Sequence, residues 1–397
     1  MGVLSKEHVE EFNQSRLLDL SGDVLEAVIT KVPTVDLIPA SRVSREWYLA
    51  VHSSLRHHPR RLPWLLLCHY LPPNILRFSI HAFDPSSRTW LSIPRRLSSC
   101  APLNHVPARL RSGSSGDRLY ALSISNMAIS EDPFGARWHM NVEPPKVWRQ
   151  DAVLAEVGRW VVIAGGGCLM PLYGEEELRS VEIYDKSTGT WQMAESMPVQ
   201  FDGSTSATSL SVAASDENLY VMERKTGVFS WFNPKHRNWV PTCQLKSFHD
   251  VSSWAVAVGC AKKLLVVGVG AMHESKLSVR IWEVNREHLK VEDGKCEEMP
   301  TEMVNQLFQD NEGDDANATW HGWSVEVCGT EHGGYVYNPS EMRNGAVFYE
   351  LEDDEEDNIV RRWEWVPLPE TLGDNLMGRI EVGCSKVGLS DLSGLSL

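Results

Sequence analysis

Several short stretches of this sequence have residue types that could do chemistry, and their spacing decides each case. In "AGGGCLMP" (Ala164 to Pro171) three glycines have the composition of a phosphate-cradling loop. That chemistry needs G-x-G-x-x-G, or a Walker lysine, with a helix behind the glycines to aim backbone N–H groups at the anion. None of these is present. "ELEDDEED" (Glu350 to Asp357) is dense enough in carboxylates to attract calcium, but it lacks EF-hand ligand spacing and a central glycine. It reads as an inserted, solvated loop, with a docking strip for a basic partner as the alternative. The eight cysteines (68, 100, 168, 243, 260, 296, 328 and 384) contain no C-x-x-C pair, so neither zinc nor a redox dithiol is expected. The fourteen histidines are dispersed, with no H-E-x-x-H and no Ser/His/Asp constellation. The residues therefore predict no enzyme, no metal and no cofactor.

Composition narrows the partners. The 397 residues suffice for two domains or one large repetitive one, and 42% hydrophobic residues provide for a core. A net charge of −15 repels phosphate backbones and anionic bilayers, so neither nucleic acid nor membrane is expected as a partner. Only "RHHPRR" (Arg56 to Arg61) is locally basic; a solvated linker is the expectation there, with a nuclear-import signal as the alternative. The N-terminal residues have no apolar signal core, Lys6 stands where myristoylation wants Ser or Thr, and no apolar run approaches ~18 residues. Unpaired cysteines point to a reducing compartment, the cytoplasm or the nucleus, where the sequon at Asn317 is silent.

What must position any function is a change of texture near residue 60. Val24, Leu25, Val28, Ile29 and Val32 make a helical stripe that Pro33 ends. Asp36 is placed to cap a second helix, and Val43, Trp47 and Val51 recur every four residues beyond it. Such a small bundle has more apolar surface than its own core can use. It is either a helical cap or a surface for a partner.

Leu20, Asp23 to Leu25, Ile29, Val32-Pro33, Asp36 to Ile38 and Val43-Ser44-Arg45-x-Trp47 resemble an F-box, whose pattern is leucine-proline, an aliphatic helix, "LP..DL" and "VS(K/R).W". Ser21 replaces the usual second-position proline, and Pro39-Ala40 interrupts the usual leucine-rich stretch. The resemblance implies docking on the Skp-type adaptor, and through it the cullin, of a ubiquitin ligase. Its implied adaptor-binding residues are Leu20, Val24, Leu25, Ile29, Val32, Pro33, Leu37, Ile38, Val43 and Trp47.

Beyond residue 62 the sequence repeats. "FDPSSRTW", "YDKSTGTW" and "FNPKHRNW" end at Trp90, Trp191 and Trp239, each with an aromatic seven residues earlier: Phe83, Tyr184 and Phe232. An Asp or Asn follows the aromatic and opens a turn, so each unit reads as two strands and a tight polar loop. "RWHMNVEPP" around Trp138 is a degenerate copy; 288–300 and 361–369 are weaker ones. A period near ~50 residues is that of kelch propeller blades, and Gly165-Gly166 after "WVVIA" resembles the kelch diglycine. The expected architecture is a 1–16 tail, a small all-α F-box over 17–57, a 58–62 linker and an all-β kelch propeller of six blades over 63–397. Trp191 could be a binding aromatic; its periodic spacing assigns it to the packing between blades.

F-box plus kelch resembles the plant F-box/kelch-repeat proteins. Pro144 to Gly167 and "CSKVGLSDL" (Cys384 to Leu392) are similar to the branch that directs chalcone synthase to ubiquitination and proteasomal degradation, lowering flavonoid synthesis. The resemblance implies a non-catalytic substrate receptor. The segment "CLMPLYGEEELR", with Leu169, Met170, Leu172 and Tyr173, is the expected substrate contact. Three alternatives stay open: a scaffold with a vestigial F-box, a receptor for another phenylpropanoid enzyme, and a propeller enzyme.

Overall fold

The three clear repeats fold into one hairpin design. Phe83 lies directly across the antiparallel ladder from Trp90, Tyr184 from Trp191 and Phe232 from Trp239, with ring centroids 5.3, 5.2 and 5.2 Å apart. The loop between them explains the seven-residue spacing. Backbone N–H groups of Arg88, Gly189 and Arg237 donate to the carbonyls of Asp84, Asp185 and Asn233 at 2.8, 2.8 and 2.7 Å. The side chains of those same three residues accept a further N–H, from Ser86, Ser187 and His236. The closing residue is left-handed in all three, with φ of 58°, 70° and 58°. Only one repeat puts glycine there; arginine bears the conformation in the other two.

The computed structural model describes residues 22–71, 74–96, 108–112, 117–123, 127–149, 151–167, 175–245, 250–260, 263–271, 277–285, 291–309, 323–351, 359–372, 378–393 and 395. They fall into two compact units, 1–60 with 388–397, and 61–387. In the larger unit the described strands form six antiparallel sheets, the blades of a propeller. Blades two to six each run outward in chain order, within residues 108–142, 153–194, 210–244, 251–298 and 326–366. Blade one is different. Its strands Trp64–Leu71, Asn74–Asp84 and Thr89–Arg96 are completed by Arg379–Ser385, which pairs with Trp64–Leu71 and closes the ring. Trp138–Val142, Val291–Glu298 and Val360–Val366, which overlap the degenerate and weaker copies of the repeat, are the outer strands of their blades.

The core lies between the blades. Each apolar cluster of the propeller draws on two neighbouring sheets: Tyr120, Met127 and Ile129 of blade two, for example, meet Leu154, Val161, Ile163 and Trp191 of blade three. Both faces of a middle strand are therefore covered, and Leu219–Glu223 and Gly333–Tyr337 are buried throughout. The repeat tryptophans join blades by a second device. The indole N–H groups of Trp90, Trp191 and Trp239 donate to the carbonyls of Pro367, Glu143 and Glu195. Each acceptor is the first residue past the outer strand of the preceding blade. Trp138 lacks this latch and donates to its own turn, at Gly135. Its ring still meets blade one, edge to face with Phe78.

Gly165 and Gly166 are needed where they stand. Their φ angles are 64° and 63°, and a Cβ would lie 2.1 Å from the Thr205 carbonyl oxygen or 2.3 Å from the Ala152 nitrogen. The Gly165 carbonyl accepts a 2.6 Å bond from Arg149, a fully buried guanidinium that also reaches Ser180 and the buried Glu182. Glu182 in turn accepts the backbone N–H groups of Lys146 and Val147. The glycine run thus belongs to a structural charge pair, consistent with its failure as a phosphate motif.

Two outcomes follow from this packing. Trp191→Ala should cost about 3–5 kcal/mol, because the ring fills the seam. Trp191→Phe, which loses the latch and part of the ring, should cost about 1–2 kcal/mol; urea unfolding of both measures the difference, and equal losses would mean that the ring contributes little. The second outcome concerns His81, buried in blade one among the hydroxyls of Ser79, Ser92 and Thr371. Burial, helped by the charge of His69, pushes its imidazole down to about 4, whereas the unfolded histidine titrates near ~6.5. Between these values the unfolded chain binds the extra proton, so stability is complete above about pH 6.5 and falls as the pH drops towards 4. A Tm-against-pH curve should show that fall, and His81→Gln should flatten it.

Candidate docking surface

The smaller unit is built from three helices, α1 (Gly22–Ile29), α2 (Leu37–Ser41) and α3 (Arg45–His57), with a further helix over Leu389–Ser393. Leu25, Ile29, Leu37 and Val51 are fully buried together, and Val32, Ala40, Trp47, Ala50 and Leu55 pack around them half-buried. Three polar devices fix the helices. Ser44 caps α3 by accepting the Trp47 N–H at 3.2 Å, which is the physical content of the serine in "VSREW". Glu26 of α1 accepts Ser53 Oγ–H and lies 2.9 Å from His57 Nδ1, both on α3; these bonds hold its carboxyl below the usual range. Arg60 reaches back to the carbonyls of Ile29, Thr30 and Val32, the open end of α1.

Several sequence expectations change here. Helix α1 stops at Ile29, ahead of Pro33, and Asp36 makes no capping bond. Pro39 sits in the first turn of α2, where a missing N–H breaks no helical bond. Val43 precedes the α3 cap and is not on that helix. Arg60, expected in a solvated linker, is tied into the helical unit, and residues 388–397, expected in the propeller, group with the helices.

The expected adaptor-binding residues divide sharply. Leu25, Ile29 and Leu37 are wholly buried and Ile38 nearly so. These four hold the helices together and offer no surface, because a strongly periodic apolar stripe on a short helix is first its core. Val32, Pro33 and Trp47 are half-buried. Val24 and Val43 are open to solvent, at 61% and 64% exposure, and Leu20 lies outside the described residues. Three exposed apolar residues were not among the expected adaptor contacts: Val28, Tyr48 and Leu49. Of these, Val28 belongs to the stripe that spacing marks on α1, four residues from Val24. Of the eight exposed large apolar side chains among the described residues, five lie between positions 24 and 49, so exposed apolar surface concentrates on this unit.

The expected substrate contacts Leu169, Met170, Leu172 and Tyr173 lie outside the described residues, as do residues 352–358 of the acidic run. The aromatic blade anchors Phe83, Trp90, Tyr184, Trp191, Phe232 and Trp239 sit in the inter-blade packing, whereas Gly165 and Gly166 sit in the bend beside Arg149 and Thr205. No group of three or more His, Cys, Asp and Glu among the described residues is arranged to hold a metal ion, and no described helix is long and apolar enough to cross a membrane.

A helical unit with an exposed apolar surface, joined to a six-bladed propeller, defines a two-part docking protein. Residues 17–59 match the family model of the F-box domain. Over 383 residues the chain is 32% identical to an F-box/kelch-repeat protein of Arabidopsis thaliana, covering 94% of this chain and 91% of that one. This chain belongs to the F-box/kelch-repeat family. Similarity to solved structures is distant: a chain of a nidogen/laminin complex at 10% identity (TM-score 0.40, 81% of this chain and 98% of that one), and the Nup133 β-propeller domain of Vanderwaltozyma polyspora at 12% (TM-score 0.37, 79% and 88%).

The division between core and surface gives a direct check. Leu25→Ala should destabilise the helical unit by about 2–5 kcal/mol, whereas Val24→Ala, one residue away, should change it by no more than about 0.5 kcal/mol. Hydrogen exchange of the α1–α3 amides in the full chain reads both.

Proposed function

We propose that this protein is the substrate receptor of a Skp-cullin-F-box ubiquitin ligase and that its target is chalcone synthase. The F-box match and the F-box/kelch-repeat relative support the receptor role. The observation that carries the docking half is the concentration of exposed Val24, Val28, Val43, Tyr48 and Leu49 on the helical unit. Apolar side chains grouped this way lose water only against a partner. The receptor needs no catalytic group. Holding a substrate beside a ubiquitin-loaded enzyme raises the effective concentration of its lysines, and that is the contribution.

The target is proposed from the resemblance of residues 144–167 and 384–392 to receptors of chalcone synthase. Both segments also serve the fold, through Arg149, the diglycine and the closing strand. The synthase contact is proposed for residues 169–173, with lowered flavonoid synthesis as its consequence.

Val24→Glu with Leu49→Glu, made in the full chain, should weaken adaptor capture by more than about tenfold, since a carboxylate must be desolvated in the interface. The melting temperature should not move and chalcone synthase should still bind, yet it should no longer be ubiquitinated in a reconstituted ligase. Undiminished capture by the double variant would move the docking surface elsewhere. A wild-type chain that captures the adaptor but not chalcone synthase would end the substrate reading and leave the receptor reading standing.

A further inference from the structure

We infer that the C-terminal helix Leu389–Ser393 is a working part of the adaptor-docking unit, so that adaptor capture depends on residues 388–397; this rests on the adaptor reading above. Residues 388–397 group with 1–60 and not with the propeller that they follow in sequence. Leu389 packs against the cluster of Leu25, Ile29, Leu37 and Val51, and the helix lies against α2. Leu392 is fully buried and Leu395 nearly so. The helix is started by Asp391, which accepts the Gly388 N–H at 2.9 Å.

The need for it follows from size. Helices α1 and α2 have eight and five residues, well below the length at which a helix persists in water without tertiary support. Among the described residues their cluster has four fully buried side chains. Leu389 is a substantial addition to so small a core, and the helix that bears it, with Leu392 buried, lies against α2. The route is short. Trp64 pairs with Ser385 in the closing ladder, so only Lys386 and Val387 separate the closing strand from the helical unit, as Arg61 to Pro63 do on the other side. One C-terminal segment thus supplies the ring-closing strand and then part of the docking unit. A chain that ends before it closes its propeller also lacks an intact docking unit.

Two variants of the full protein test this. One stops after Val387, keeping the closing strand; the other is Leu392→Asp, with Leu392→Met as the conservative control. Affinity for the Skp-type adaptor, hydrogen exchange of the α1–α3 amides and melting of the propeller are measured together. Both disruptive variants should lose amide protection in α1–α3 and bind the adaptor at least about tenfold more weakly, because apparent affinity scales with the fraction of competent unit. Leu392→Met should bind normally, and propeller melting should be unchanged in all three. Wild-type affinity in either disruptive variant would overturn the inference, even if protection falls, since the adaptor would then be supplying what the helix supplies. If the wild-type chain does not bind the adaptor, that reading fails separately. The role of the helix is then decided by exchange alone: lost protection supports it and unchanged protection overturns it.

Discussion

The ladder between Trp64–Leu71 and Arg379–Ser385 is the interaction on which the rest depends. It joins residues more than three hundred positions apart through seven consecutive pairs, from Trp64 with Ser385 to Tyr70 with Arg379. A blade is apolar on both faces and is stable only between two others. Without the last strand, blade one would present an unpaired edge, and its contact with blade six through Leu65, Leu67, Tyr335 and Phe348 would have no fixed register. The contacts it secures are long-range ones, whose loop entropy must be met before they stabilise anything.

Given closure, three of the seams are each held by one bulky ring and one directed bond. The ring supplies most of the energy, because burying an indole outweighs a hydrogen bond worth about 1 kcal/mol net. The bond supplies position. By tying Trp90, Trp191 and Trp239 to the first carbonyl beyond the preceding blade, it fixes how far one sheet slides along the next. Blade two, where Trp138 turns to its own loop, keeps the ring against Phe78 of blade one and loses the register bond. The buried Arg149–Glu182 pair plays a comparable part within blade three. Backbone carbonyls and the Ser180 hydroxyl bond the two Arg149 amino groups, and backbone N–H groups bond both Glu182 oxygens. The Arg149 Nε finds no partner among the described residues, but such added hydrogen bonds are what make a buried ion pair tolerable.

The helical unit obeys a different economy. Its helices are short, so apolar residues are divided between a minimal core and a surface left open. Burial of Leu25 beside exposure of Val24 is one step of 100° around a helix, and that step separates folding from docking. The polar residues Ser44, Glu26 and Arg60 hold the geometry without drawing on the apolar set.

The sequence by itself determined everything set by local period. Seven-residue aromatic spacing with an Asp or Asn turn specifies a hairpin wherever it occurs, and a repeat near ~50 residues specifies blades. Six blades, a helical F-box ahead of them and the structural role of Trp191 were all legible from residues within reach of one another. Tertiary structure alone decided what depends on residues far apart. That the last strand belongs to the first blade follows from pairing across the whole chain. That Leu389 packs on a core begun by Leu25 follows from contact between the two ends of the chain. Which members of the stripe face water could not be read either, because a helical period marks an apolar face without saying whether the protein or a partner covers it.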